Sequence, residues 1–143
     1  MNIRDLLRTA SRTFAIGIER LPGTLCEATT IAYLLLRVSD YLEDNEEMET
    51  DQKVDLLNLW VNVLRQEADI TSLTRQFSDA DTTNPDAIVA QHTEEILQQL
   101  RALPYAVQEI IVRHVIHSTQ GMARWTKIGP NVADEKEMDD YMF

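Results

Sequence analysis

Cysteine is almost absent from this chain. Cys26 is the single thiol, so no intrachain disulfide can form, and a reducing compartment suits the sequence. Glycine and proline are scarce as well, four of each, and long periodic stretches separate them. That leaves too few turn residues for an all-β fold, and no alternating strand pattern of any length occurs. There is no internal repeat and no low-complexity tract. Basic residues are outnumbered 13 to 24, giving a net charge of −11. Such a balance argues against nucleic-acid binding, which depends on clustered Lys and Arg. It also makes an anionic substrate awkward unless a metal ion neutralises the site. No apolar run approaches the roughly 20 residues that span a bilayer, and Asn2-Ile3-Arg4-Asp5 does not open a secretory signal. A cytoplasmic protein is expected, with peripheral membrane contact left open.

What is present is helix. With 44% apolar and 26% charged residues, 143 residues suffice for one modest domain that buries about two-thirds of its unfolded surface. A first helical stretch is expected from Asn2 to Arg20, bent near Ser11-Arg12-Thr13-Phe14, and Leu21-Pro22-Gly23 breaks it. A second runs from Thr24 to Asn45. Thr50 or Asp51 is placed to cap a third, Gln52 to Glu67, whose buried face uses Val54, Leu57, Val61 and Leu64, widened by Leu56, Trp60 and Val63. The polar stretch from Asp69 to Asn84 reads as a loop. Pro85 and Pro104 then read as first-turn prolines of helices reaching Leu103 and Lys127, ended by Gly129-Pro130. The expected architecture is an all-α, antiparallel helical bundle.

The second helix carries the chemistry. Tyr33, Arg37, Asp40 and Asp44 follow one another at spacings of four, three and four. A helix turns about 100° per residue, which gathers these side chains into a sector of about 60°. Ile31, Leu34, Leu35, Val38 and Leu42 fall on the opposite side. The stripe is costly in isolation. Asp40 and Asp44 are like charges at i,i+4, and both lie near a helix C-terminus, where the macrodipole disfavours anions by about 0.3–1 kcal/mol each. A bound Mg²⁺ reverses both penalties, since it accepts one or two carboxylates and fills its other positions with water and substrate phosphate. An acidic, solvated helix end is the bland alternative. Arg37 weighs against it: Ala32 to Leu36 is greasy nearly all round, and a guanidinium there needs a paired or wet setting, which places the stripe on a cavity.

The last stretch is unusual. Asp134 is placed to cap a helix with Glu137 in the capping-box position, yet six residues follow Glu137. The expectation is a truncated chain whose exposed apolar faces drive self-association.

Several segments together resemble the squalene/phytoene synthase family, the head-to-head prenyl transferases of the class I isoprenoid synthase fold. Ser11-Arg12-Thr13-Phe14-Ala15 resembles that family's early S-R-[ST]-F motif, with Leu21-Pro22 following at the usual distance. Ala32-Tyr33 through Arg37 and Asp40-Tyr41-Leu42-Glu43-Asp44 resemble its first aspartate-rich motif. Gly121-Met122-Ala123 matches a short later motif, and Asp139-Asp140-Tyr141 resembles the lead-in to a tyrosine-containing segment. The likeness covers the whole chain in order, but only about the N-terminal half of a typical member, stopping before the second aspartate-rich motif. It is closer to squalene-type members.

The resemblance implies that residues 1–143 form the N-terminal part of one such domain, about half of the fold. It implies Asp40, Glu43 and Asp44 as Mg²⁺ ligands, and Ser11, Arg12, Phe14, Tyr33 and Arg37 as substrate-binding residues. Tyr141 would be catalytic, bordering the carbocation path. It further implies head-to-head condensation of two prenyl diphosphates, farnesyl diphosphate above all. NADPH would enter only if the parent makes squalene, and no nucleotide-binding motif is evident. With the second metal-binding wall absent, this chain by itself is expected to be inactive. A non-enzymatic helical interaction protein derived from the same fold is the alternative.

Weaker signals have ordinary structural roles as their better reading. His92, His114 and His117 could share a transition metal, but no cysteine or organised carboxylate accompanies them, and surface histidines are the better reading. Cys26 has no His or Asp paired with it in sequence, so a small buried side chain is preferred to a nucleophile. Trp60 and Trp125 read as core or cavity-wall residues.

Overall fold

The computed structural model describes residues 3–11, 15, 17–18, 20, 22–44, 48–77 and 84–128. Among them are seven α-helices and no strand: α1 Ile3–Ala10, α2 Gly23–Asp44, α3 Thr50–Leu64, α4 Ile70–Thr74, α5 Pro85–Gln91, α6 Thr93–Arg101 and α7 Tyr105–Ile128. A 3₁₀ turn, Arg75–Phe77, follows α4. The all-α bundle expected from the sequence is the observed architecture.

α2 is the central rod. It packs against α1, α3, α5, α6 and α7, while the most extensive helix pair is α3 with α7. The reason lies in its width of apolar surface. Ile31, Leu34, Leu35, Val38 and Leu42 are all buried, as their shared face required. Full burial of each such side chain is worth about 1.5–3 kcal/mol relative to leaving it in water. On α3, Leu57, Val61 and Leu64 are buried with Leu56, Trp60 and Val63; Val54 stays half-exposed near the start of the helix. Leu7, Ala15, Ile18 and Cys26 form a second, smaller cluster that Tyr33 packs against. Cys26 is thus a buried free thiol, which favours the small-core-residue reading.

One polar group interrupts the apolar face of α2. Ser39 is fully buried, and its hydroxyl accepts from Trp60 Nε1 at 2.9 Å while sharing a 2.8 Å hydrogen bond with Thr119 Oγ1. Thr119 in turn donates to the Val115 carbonyl at 2.7 Å. Three helices, α2, α3 and α7, are tied at this point, because a buried indole N–H must find an acceptor. Ser39→Ala should destabilise the fold by about 1–3 kcal/mol, the cost of an unsatisfied buried donor. Trp60→Phe in the Ser39→Ala background should remove most of that hydrogen-bonding cost. Urea midpoints of the single and double variants check both statements.

Several helix boundaries differ from expectation. The stretch from Asp69, read as loop, begins with α4: the Asp69 side chain accepts from the Thr71 backbone N–H at 3.0 Å, and Leu73 and Phe77 are buried. Polar composition hid a capped turn with two apolar anchors. The helix expected from Pro85 to Leu103 is split at His92, whose Nδ1 bonds the Ile88 carbonyl at 2.8 Å while the Thr93 hydroxyl donates to Ala90 O. Side chains that bond the preceding turn's carbonyls compete with the helical ladder. Glu49, not Thr50 or Asp51, occupies the N-cap of α3, without a side-chain cap bond. Pro85 does open its helix, behind an Asn84 cap.

At the end of α3 the chain reverses through Gln66, whose φ is 63°. Backbone bonds from Gln66 N–H to Val63 O and from Glu67 N–H to Asn62 O close the turn. A left-handed residue here is ordinary, but glycine is the usual occupant, and a side chain in that conformation costs about 1 kcal/mol.

Candidate functional site

The stripe of α2 survives folding, and the structure adds a partner that the sequence did not reveal. Arg37, in the middle of α2, reaches across to Asp86 in the first turn of α5, forming an ion pair from Nη2 to Asp86 Oδ1. Its Nη1 lies 3.6 Å from Asp40 Oδ2, one turn further along α2. The guanidinium carbon stands 5.9 Å from the centre of the Tyr33 ring, a cation–π arrangement worth about 0.5–1 kcal/mol at a partly exposed site. Tyr33, Arg37, Asp40 and Asp86 therefore form one half-buried constellation. The pairing that a guanidinium beside Ala32–Leu36 requires is met by two carboxylates at once.

Asp86 is held where it is by local rules. Asn84 caps α5, its side-chain oxygen accepting from the Asp86 backbone N–H at 2.9 Å, and Pro85 occupies the first turn. An acidic residue at a helix start is favoured by the macrodipole. The signal in the sequence was the capping run Asn84-Pro85-Asp86, but nothing in spacing indicates that this helix start docks against Arg37, 49 positions earlier.

The electrostatics are strained at Asp40. Burial raises its carboxyl pKa above the ordinary value, and the like charges of Asp44 and Asp86 push the same way, while Arg37 opposes them. Because the folded pKa is raised, Asp40 contributes stability that is fully present below the unfolded value of about 3.9 and is lost as pH rises through the folded value. Wild type should therefore gain stability relative to Asp40→Asn as pH falls from 7 toward 4. Denaturant midpoints that diverged in the opposite direction would refute this account.

The other expected site residues fall out as follows. Glu43 is half-buried on the flank of the stripe, and Asp44, the last residue of α2, is exposed. The stripe is partly open rather than enclosed: the side chains of Arg37 and Asp40 keep 28% and 31% of their exposure. The sequence had placed it on a cavity, and the described residues do not close one around it. Ser11 directly follows α1 and is half-buried; its N–H bonds the Leu7 carbonyl and its own carbonyl accepts from Ala15. Arg12, Phe14 and Tyr141, like the expected Asp134–Glu137 cap, lie outside the described residues. His114 and His117 are exposed on α7, and His92 is engaged at the α5–α6 junction. Among the described residues no three His, Cys, Asp or Glu side chains group closely enough to hold a metal ion, and this holds for Asp40, Glu43 and Asp44 together as it does for the three histidines. For the carboxylates the test is different. Mg²⁺ needs only one or two protein oxygens when phosphate and water complete its shell. Asp40 and Asp44 supply hard oxygen donors, and their mutual repulsion is what a cation would relieve. The donor set fits.

Comparison with known proteins follows the same direction. The squalene/phytoene synthase family profile matches residues 7–142. The human squalene synthase is 29% identical over 135 residues, covering 94% of this chain and 30% of the relative. The squalene synthase of Saccharomyces cerevisiae is 32% identical over 120 residues, covering 83% of this chain and 26% of the relative. The chain thus spans between a quarter and a third of the length of these relatives. In three dimensions it resembles TcSQS in complex with the ligand E5700, with a TM-score of 0.80 at 22% identity, over 97% of this chain and 38% of that one. A helical bundle that carries the aspartate-rich stripe on its central rod, and a family profile that runs nearly from end to end, lead to one statement: the chain belongs to the squalene/phytoene synthase family.

Proposed function

We propose that this chain contributes the first metal- and diphosphate-binding wall of a prenyl transferase that joins two prenyl diphosphates head to head, farnesyl diphosphate being the preferred substrate. The observation that carries the reading is the Arg37-centred constellation: a guanidinium gripped by Asp86 from one side and facing Asp40 from the other, on the helix whose end bears Asp44. Asp40 and Asp44, with Glu43 on their flank, would hold Mg²⁺. Bound there, the ion supplies Lewis-acid stabilisation of a departing diphosphate.

The chain's own residues do the rest. Arg37 offers N–H donors to diphosphate oxygens through the part of its side chain that stays exposed. Asp86 fixes the guanidinium, which limits the entropy lost when an anion is bound. Tyr33 backs the cation with its ring. Arg12, Ser11 and Phe14 would extend the same binding surface, and Tyr141 would border the reacting carbons. The reading includes that residues 1–143 alone bind but do not turn over, because metal ligands come from one helix only. NADPH use is proposed solely for a squalene-forming parent.

Calorimetric titration of farnesyl diphosphate tests this. Binding should require Mg²⁺ and should release no pyrophosphate at a rate typical of enzymes. Equal binding with and without Mg²⁺, or none in either, would overturn the metal-bridged site and favour a helical interaction module. Rapid pyrophosphate release would overturn the claim of inactivity while leaving the site in place.

A further inference from the structure

A groove of about 560 Å³ opens on another face of the bundle, between the end of α3, the end of α6 and the first two-thirds of α7, and no α2 residue lines it. Its floor includes Leu64, Val112 and Ile116, and its walls carry Arg65, Arg101 and Arg113. In a chain of net charge −11 this is an unusual concentration of guanidinium groups. Arg113 is paired with Glu109 at 3.1 Å, the one carboxylate of the lining. Among the described residues Arg65 and Arg101 have no carboxylate partner.

Arg101 is nevertheless held in place. It donates to the Leu64 carbonyl at 3.4 Å and to Gln108 at 3.5 Å. With its amide turned, the Gln66 side-chain oxygen lies 3.0–3.1 Å from all three nitrogens, over the face of the guanidinium. Gln66 is the residue with positive φ. Glycine would relieve that backbone but would remove this contact with Arg101. A fixed, uncompensated guanidinium above an apolar floor, in a volume within the usual small-ligand range of roughly 300–1,000 Å³, is suited to one chemistry.

We propose that this groove binds a small amphiphilic anion, a phosphate or carboxylate head on a short apolar chain. The head lies between Arg65 and Arg101, whose planar forks match such oxyanions, and the chain covers Leu64, Val112 and Ile116. The site is independent of Mg²⁺ and of the α2 stripe.

The test uses the 143-residue chain without divalent metal, with octyl phosphate and octanoate as probes and inorganic phosphate and octanol as controls. Saturable one-to-one binding of an octyl anion is expected, at least about tenfold tighter than inorganic phosphate or octanol, with amide shifts confined to the α3 end and α7. Octyl phosphate and octanoate, titrated separately, identify which head is preferred. Arg65→Gln should weaken binding by about tenfold, and Gln66→Gly should weaken it while the melting temperature stays level or rises. Absence of saturable binding to the folded chain would overturn the proposal, as would full affinity in both variants or shifts mapped to Tyr33–Asp44. None of these outcomes bears on the Mg²⁺-dependent titration of farnesyl diphosphate.

Discussion

Asp40→Asn should weaken Mg²⁺-dependent binding of farnesyl diphosphate on the order of 100-fold, while the metal-free chain loses no stability at pH 7. The two halves of that result have one cause. Burial and the like charges of Asp44 and Asp86 disfavour the Asp40 carboxylate, and Arg37 opposes them, so without a cation its charge is a burden. A neutral isostere removes the burden and, with it, the oxygen donor that a hard cation needs. Loss of affinity without loss of stability is the pattern of a residue kept for chemistry. Asp44→Asn, at the exposed helix end, should reduce affinity in the same sense with a smaller change in stability. Circular dichroism should show unchanged helix content in both. Unaltered affinity in both variants would remove the metal role from the stripe.

Arg37→Gln should be the most destabilising substitution in the site, by about 1–3 kcal/mol at pH 7. Removing one partner of a fully buried ion pair costs about 3–5 kcal/mol, and exposed pairs contribute about 0–1 kcal/mol; Arg37 lies between these limits. Its loss leaves Asp40 and Asp86 facing each other without a cation across the α2–α5 interface. The penalty should shrink as pH falls toward 4, because Asp40, whose folded pKa is raised, then takes up a proton and ceases to repel its neighbours. It should also shrink in millimolar Mg²⁺, if the ion occupies the vacated electrostatic role. Denaturant titrations at pH 7 and pH 4, with and without Mg²⁺, measure all of this. A penalty independent of pH would show that Arg37 acts by packing its methylenes rather than by charge.

The helical character, the buried face of α2 and the stripe itself were legible in the residues, because helical periodicity is local. Ile31 to Leu42 recur at the intervals that one face of a helix imposes, and the same arithmetic gathers Tyr33, Arg37, Asp40 and Asp44. The family resemblance was legible for the same reason, since its motifs are short and lie in order along the chain. Elsewhere the local rules competed. Asp69-Ile70 to Phe77 is polar enough to read as loop, yet two apolar residues three and seven positions beyond Ile70 suffice to anchor it. At His92, side-chain bonds to the preceding turn interrupt a pattern that apolar spacing alone would continue.

What the primary structure determined by itself is a set of one-dimensional regularities: which segments coil, which face of each is greasy, and which charges share a turn. Packing alone decided that Asp86 closes on Arg37, that Ser39 is drawn inside to receive the Trp60 indole, and that Arg101 reaches the Leu64 carbonyl beside a separate groove. Each of those contacts joins residues far apart along the chain. Their pairing depends on how rods of given width nest and on which buried donor must find an acceptor, and no periodicity along a single helix encodes either.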